Sequence, residues 1–474
     1  MGTAYKTFFF LLIPLVFLAA HEGQAASDPA PLSFVGAWEM VVSNSDALKA
    51  AQENIAHAEY KQGSAKALYL PEIKLTAAYI HLDDDIKIKP DDLFESMPAG
   101  HQIAAISSQL AQKYGLPAAQ IGAGLTSTMA EQENFVSAVN AIWPIYTGGR
   151  ITAAQQIAAG MVDEAGDKLR LERLQQFQHL VDYYFGAVLT RTIHQTRMEV
   201  ETGLKKHLDH AVMLEKQGQI AKVERMQAEA AYDKAIVERK KAWQDHEIAL
   251  AALTELLKSN QPVSPADQLF IENSLPEMDT FIQHTLQSHP GLAALAAKQK
   301  QAEGLLAAER GRYLPTIALF GNYTLHEDDS LAAKTSPDWL AGLGASLPLI
   351  DRSGRRGDHL AAKSSLRRIG HLKNQARSDL KLLVEKTYRQ ARQALEEYQG
   401  LRSSQELAQE TVSLRIKAFS QGISTSLDVV DAELFLAQVK TQRAAAMYNH
   451  VKALGTLVVI SSGPEDFFQY QQGK

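Results

Sequence analysis

The segment Ala67-Leu-Tyr-Leu-Pro-Glu-Ile-Lys-Leu-Thr-Ala-Ala-Tyr79 returns later in the chain as Gly311-Arg-Tyr-Leu-Pro-Thr-Ile-Ala-Leu-Phe-Gly-Asn-Tyr323. The two copies share Tyr, Leu, Pro, Ile, Leu and Tyr at matching positions. Self-similarity within one chain is the signature of a duplicated architecture. We therefore expect two halves that have the same order of helices and strands.

Two further pairs of segments follow in the same order. Trp143-Pro-Ile-Tyr-Thr-Gly-Gly-Arg150 resembles Leu347-Pro-Leu-Ile-Asp-Arg-Ser-Gly-Arg355, with one residue inserted in the second copy, and Gly218–Glu229 resembles Gly422–Glu433. Three ordered matches predict a tandem duplication. The predicted divisions are a first repeat over 26–262, a linker over 263–278, a second repeat over 279–463 and a C-terminal tail over 464–474.

Long helices dominate both predicted halves. Leu174, Val181 and Val188 recur at helical spacing between polar neighbours. The predicted helices lie near 38–66, 150–217, 222–258, 279–309, 355–421 and 424–461. At 1.5 Å per residue the two longest measure about 100 Å each, and the two short helices of a half together match that length. Such lengths suit a tube that crosses a wide compartment.

Four segments of alternating pattern read as strands, near 69–80, 135–145, 313–325 and 339–350. Their length is typical of strands that cross a bilayer. Pro71 and Pro315 lie at strand starts, and Pro144 and Pro348 near strand ends, where a missing hydrogen-bond donor costs least. Four strands leave open edges, so further copies of the chain are needed in lipid. The sequence does not decide at this point between two copies and three. A soluble four-stranded sheet beside a coiled coil is also still an alternative.

The N-terminus predicts export. Lys6 precedes an apolar run and small residues around Gly23 and Ala25, so residues 1–25 are expected to be a signal peptide. The chain has no cysteine, which excludes disulfides, thiolate metal sites and lipidation of an N-terminal cysteine. With a net charge of -6 we expect no sustained basic patch and no nucleic-acid partner.

Catalytic and cofactor motifs are missing from the sequence. It contains no phosphate-binding Gly-x4-Gly-Lys-Ser/Thr, no Gly-x-Ser-x-Gly and no His-Glu-x-x-His. We therefore expect no enzyme activity and no cofactor. His207 and His210 share a helical face, but their interpretation as surface histidines is favoured over a metal site because no further ligands are evident.

The repeated motifs together resemble the outer membrane efflux protein family, the TolC-like channels, over the whole mature sequence. The resemblance implies a mainly α fold with a small β part. Tandem-duplicated long antiparallel helices would form an α-helical barrel, and four strands per protomer would contribute to a trimeric twelve-stranded transmembrane β-barrel. The protein is then expected in the bacterial outer membrane and to extend into the periplasm.

By this resemblance the chain is the exit duct of a tripartite efflux or type I secretion system. The expected partners are two further copies in a homotrimer, outer-membrane lipid, a periplasmic adaptor (a membrane fusion protein) and an inner-membrane pump. The alternative is a periplasmic coiled-coil adaptor or scaffold that is not inserted in a membrane.

Asp428 and Asp431 are the sharpest candidate site. They lie three residues apart on nearly the same helical face, so a trimer would hold two acidic rings at the pore constriction that the resemblance implies. For Asp428 the alternative is a capping box that begins at Thr425.

The two helix turns form a second candidate site. Glu224 and Arg225 are expected to tie neighbouring helices together, or to lie on a solvated helix face. Gly218 and Gly422 are expected to end the preceding helices. These turns, with Ser424 and Thr425 in the second half, are where an adaptor is expected to dock.

The passage from strand to long helix is a third candidate. Gly148, Gly149 and Gly354 are expected to form sharp turns there. Arg150 and Arg355 either face lipid headgroups or simply stand at the start of a helix. Aromatic residues near strand ends form either interfacial girdles or core: Tyr79, Trp143, Tyr146, Tyr313, Tyr323 and Trp339. The long loop near 83–133 has no assigned role, and its residues 103–114 read as helical.

Overall fold

The computed structural model describes residues 30–115, 126–327 and 331–471. The predicted signal peptide, residues 1–25, lies outside the described residues, as do residues 116–125 of the long loop and residues 472–474 of the predicted tail. The fold of the described residues is mainly helical with a small strand part, as the sequence predicts.

Two helices of 67 and 66 residues hold much of the described chain. The described helices, in chain order, are α1 (Phe34–Asn44), α2 (Asp46–Ala67), α3 (Pro90–Ser96), α4 (Gly100–Lys113), α5 (Arg150–Lys216), α6 (Lys222–Leu256), α7 (Met278–Ser288), α8 (Pro290–Gly311), α9 (Leu331–Thr335), α10 (Arg355–Ser420), α11 (Ser426–Ser461) and α12 (Pro464–Gln471). Among the described residues, none of these helices combines the length and apolar character needed to cross a membrane.

The strands form one four-stranded sheet and two small two-stranded pairs. They are β1 (Ala30–Leu32), β2 (Glu72–His81), β3 (Ile86–Ile88), β4 (Ser127–Ala130), β5 (Glu133–Tyr146), β6 (Val263–Pro265), β7 (Thr316–His326) and β8 (Trp339–Ser346). The large sheet is antiparallel in the order β2-β5-β7-β8, β3 pairs antiparallel with β4, and β1 pairs parallel with β6.

The contacts divide the chain into two compact units, each assembled from separated stretches. The first, which we call the strand unit, contains Ala47–Arg173 and Ile282–Leu383. It includes the large sheet, in which β5 of the first half and β7 of the second form nine residue pairs. The duplicated strands therefore share one continuous sheet.

The second unit, which we call the turn unit, contains Leu174–Phe281 and Val384–Lys474 together with the N-terminal stretch. Its core centres on Phe34, whose ring contacts Phe177 and Phe467 at centroid distances of 5.5 and 5.4 Å. The buried Tyr184 hydroxyl bonds to the Leu32 carbonyl and the Asp267 carboxylate, both at 2.7 Å. The segments predicted as linker and tail therefore contribute packed structure to this unit.

The long helices agree with their predicted ranges within two residues, but two shorter helices were predicted wrongly. The helix predicted near 38–66 begins at Phe34, because Ser33 caps the Gly36 N–H at 3.2 Å, and it is broken at Ser45. The helix predicted near 279–309 is broken at His289. Proline disfavours the helical conformation of the residue before it, and Pro290 accordingly begins a new helix with His289 as its cap.

The strand ends also differ from prediction. Strands β2 and β7 begin one residue after Pro71 and Pro315, so the predicted residues before these prolines are not strand. Strand β8 ends at Ser346 instead of 350, because Pro348 has no N–H to continue the ladder. The long loop contains the predicted helix as α4, and in addition α3 and the pair β3–β4, which the sequence did not predict.

Candidate functional site: a two-faced sheet and two helix turns

The four-stranded sheet has two chemically different faces. Leu75, Val139, Tyr323 and Trp339 are paired directly across the four strands and share one face. On that face Leu75 and Trp339 are 69% and 65% exposed. Because apolar side chains of this size are normally buried, the face presents an unusual uncovered apolar surface.

The opposite face carries a polar ladder. The Asn140 amide donates to the Thr76 hydroxyl, and the Asn322 amide donates to the Asn140 carbonyl oxygen, both at 2.9 Å. Lys74 lies in the same row of paired residues. One face of the sheet is therefore apolar, whereas the other combines the polar ladder with apolar residues such as Phe320 and Leu340. The outer strands β2 and β8 each have one edge without a strand partner in the described residues.

The aromatic residues predicted near the strand ends are all exposed in the protomer. The alternative that they form its core is therefore wrong. Their exposed fractions run from 41% at Tyr146 to 65% at Trp339.

The passage from strand to helix depends on glycine, as expected. Gly148, Gly149 and Gly354 have φ of 65°, 78° and 71°, a conformation that favours glycine. A Cβ at Gly148 would lie 2.3 Å from the carbonyl oxygen of Gly311. The sequence did not predict this close approach of Gly311, although Gly311 opens the second copy of the repeat.

Both arginines at this passage bond to the chain itself. Arg150 donates to the Thr147 carbonyl at 3.0 Å and to the Thr316 hydroxyl at 2.8 Å. Arg355, whose side chain is only 13% exposed, donates to the carbonyls of Pro348 and Leu349 and pairs with Asp351 at 3.0 Å. These bonds hold the chain where it leaves the sheet.

The two turns in the turn unit have matching geometry. Gly218 and Gly422 have φ of 73° and 72°. In each turn the residue after the glycine donates its N–H to the carbonyl oxygen five residues earlier. These bonds join Gln219 to Leu214 and Ile423 to Ala418, each with an N–O distance of 2.9 Å. This is the Schellman arrangement for ending a helix. We call residues 217–221 the first turn and 421–425 the second turn.

Glu224 and Arg225 follow the first turn and make different bonds. Arg225 pairs with Glu215 at the end of α5 at 2.8 Å, and also with Glu229. The Glu224 carboxylate accepts the backbone N–H of Ser426 at 2.6 Å. Within the protomer these two residues link α6 to α5 and to the start of α11.

Asp428 and Asp431 differ in their surroundings. Asp428 completes a capping box with Thr425. Hydrogen bonds from the Thr425 backbone, the Thr425 hydroxyl and the Ser424 hydroxyl lower the pKa of Asp428. Asp431 is exposed. Capping thus accounts for the position of Asp428 but not for that of Asp431.

His207 is not the surface residue that the sequence suggested. It is 5% exposed, its Nε2 lies 2.7 Å from the Ser426 hydroxyl, and its ring lies 4.5 Å from that of Phe419. Burial lowers the pKa of His207 to about 4, and the charge of His210 acts in the same direction. The surface interpretation failed because the apolar partner Phe419 comes from the other half.

The sequence model of outer membrane efflux proteins matches residues 281–462. The resemblance to the outer membrane efflux protein family is thereby confirmed over these residues. No match was found among curated protein sequences.

Solved structures match over nearly the whole chain. A membrane protein from Pseudomonas aeruginosa is 13% identical with a TM-score of 0.73, and the match covers 92% of this chain and 91% of that one. The outer membrane protein VceC from Vibrio cholerae is 13% identical, with a TM-score of 0.70 and coverage of 91% and 96%. The MtrE outer membrane channel of Neisseria gonorrhoeae, in its open state, is 16% identical, with a TM-score of 0.68 and coverage of 91% and 89%. These likenesses establish the fold.

Proposed function

We propose that this protein is the outer-membrane exit duct of a tripartite efflux or type I secretion system. Three copies would join their sheets edge to edge into a twelve-stranded barrel, and the helices would continue the passage into the periplasm. The duct would conduct solutes passively, since its energy would come from an inner-membrane pump reached through a periplasmic adaptor.

The observation that carries the proposal is the two-faced sheet. Its exposed apolar row, which includes Leu75 and Trp339, suits contact with lipid, and its polar ladder through Asn140 suits a watery lumen. Open edges on β2 and β8 favour assembly, because backbone groups left unpaired in lipid cost several kcal/mol each. A periplasmic adaptor or scaffold would have no use for such an uncovered apolar face.

The repeat boundaries predicted from sequence, 26–262 and 279–463, belong to the same proposal. Each repeat would supply two strands and one of the two turns. The turns, with Gly218, Gly422, Ser424 and Thr425, would meet the adaptor, and Asp428 and Asp431 would line the constriction.

The test combines fractionation with electrophysiology. We expect the full-length protein in the outer-membrane fraction, three copies per particle after cross-linking in detergent, and discrete conductance steps in planar bilayers. A double substitution of Leu75 and Leu343 by Asp on the apolar face should abolish insertion, whereas substitution of Asn140 and Asn322 by Asp on the polar face should not. A monomer that stays in the periplasmic fraction without detergent would establish the adaptor or scaffold alternative instead.

A further inference from the structure

A strongly basic stretch lies at the start of α10. Residues 356–381 contain seven lysines and arginines against Asp358 and Asp379, in a chain whose net charge is -6. The corresponding stretch of the first half, residues 151–176, has three basic and four acidic residues. Of the two duplicated helices, only the second is strongly basic at its start, and the expectation of no sustained basic patch was wrong here.

The positive charges are arranged on one flank of the helix. Ala362 and Ile369 are buried at a spacing of seven residues, which marks the line along which α10 packs in the strand unit. Heptad spacing keeps residues at a constant angle to such a line. Five exposed cations lie beside this buried line, at spacings of four, seven and fourteen residues. We call these five residues the cationic flank: Arg356, Lys363, Arg367, Arg377 and Lys381.

The protomer does not neutralise this flank. Among the described residues none of its five members has an acidic partner, whereas Arg389, Arg392 and Arg402 further along α10 are each paired with a glutamate of the same helix. Like charges held close together destabilise a fold unless something compensates them. The flank is therefore available to negative charge from outside the protomer.

The flank also has open space between its cations. Gly370 lies seven residues from both Lys363 and Arg377, and no atom lies within 4 Å of the position that a Cβ would occupy there. Two shallow depressions of ≈ 560 and ≈ 430 Å³ adjoin this point, and both are lined by Arg367 and His371. The space is sufficient for a small organic anion.

We propose that the cationic flank faces the conducting path and binds anionic solutes, bearing carboxylate, sulfonate or phosphate groups, as they pass. This inference rests on the proposed duct function and names the charge class of its cargo. Arginine binds such groups through two parallel hydrogen bonds, and a lining of cations selects for anions in a pore.

Lipid headgroups do not account for the flank. It extends over 25 residues, or about 38 Å of helix, whereas one headgroup layer is only about 5–8 Å deep. Only the first turn of α10 could reach such a layer, so most of the flank is out of reach of lipid headgroups.

The experiment uses trivalent citrate as the probe, added to each side of the bilayer in turn. We expect citrate to reduce the single-channel conductance of the full-length protein. In the triple variant Lys363→Gln, Arg367→Gln and Arg377→Gln the half-blocking concentration should rise about tenfold or more, the equivalent of one lost charge-assisted contact. The matched control is Arg389→Gln, Arg392→Gln and Arg402→Gln, in which block should be unchanged.

The outcomes separate this inference from the duct proposal. Channels that citrate blocks equally in the wild type and the triple variant would overturn the anion inference and leave the duct standing. No channels in the wild type would overturn both. Loss of trimers in the triple variant would show that the flank pairs with a neighbouring copy, and block seen only in bilayers of anionic lipid would assign it to lipid; either result overturns the inference.

Discussion

The Glu224 carboxylate accepts the backbone N–H of Ser426 at 2.6 Å, and Ser426 is the first residue of α11. A side chain from the first half thus occupies one of the free N–H groups with which a helix begins. Since the N-terminal end of a helix favours negative charge, the bond is supported electrostatically as well. The contact joins the two helices that follow the turns, α6 and α11.

We predict that Glu224→Ala loosens the join between the turns. Ser426 is fully buried, and a buried donor without its acceptor costs about 1–3 kcal/mol. The expected result is faster trypsin cleavage near residues 215–226 and a larger or more frequent open conductance. The matched control is Asp233→Asn, an exposed acid on the same helix, which should behave as wild type. Equal cleavage rates for the two variants would show that the bond does not hold the turns.

We predict that His207 makes the turn unit sensitive to acid. Its pKa is about 4 in the fold, below its ordinary value of 6.5, because it is buried. Protons therefore bind the unfolded form more readily between these values, and stability that is complete above pH 6.5 is lost as the pH falls towards 4. The full shift corresponds to a loss on the order of 3 kcal/mol.

Calorimetry in detergent measures this effect as the fall in melting temperature from pH 7.5 to pH 5. The melting temperature of His207→Gln should fall less than that of the wild type, because the glutamine that replaces His207 beside Phe419 does not titrate. His57→Gln, at an exposed position of α2, serves as the control, and its melting temperature should fall as far as that of the wild type. An unchanged fall in the His207 variant would rule out its titration as the cause.

The periodicity of apolar residues, and the glycine and proline residues at the ends of elements, made most of the fold predictable. The long helices and the four strands follow from local pattern, and Gly218, Gly422 and Pro71 mark their ends through backbone chemistry alone. What the sequence did not reveal depends on contacts between distant residues. His207 is buried by Phe419, and β6 pairs with β1 across more than two hundred residues. The excess of lysine and arginine in the cationic flank is present in the sequence, but the net charge of the whole chain conceals it.

We predict that Asp431 contributes more to cation binding than Asp428 does. The carboxylate of Asp428 is engaged by Thr425 and Ser424, whereas Asp431 is exposed and does not cap the helix. Asp431→Ala should therefore weaken block by hexamminecobalt added from the turn side without lowering the melting temperature. Asp428→Ala should weaken block less than Asp431→Ala does, and it should lower the melting temperature because the capping box is lost. If the double variant keeps the conductance and block of the wild type, these residues form no ring.

We predict that the contact between Gly148 and Gly311 is indispensable to the passage from β5 into α5. An alanine at either Gly148 or Gly149 must adopt a positive φ, which costs about 1 kcal/mol. At Gly148, however, the added Cβ would also lie 2.3 Å from the Gly311 carbonyl oxygen, while at Gly149 it would meet open space. A backbone atom cannot move aside as a flexible side chain can, so the sheet and helices must separate. Gly148→Ala should therefore abolish heat-resistant trimers in outer-membrane preparations, and Gly149→Ala should retain them with a slightly lower melting temperature. Similar losses in both variants would attribute the requirement to backbone conformation alone and remove the close approach to Gly311 as its cause.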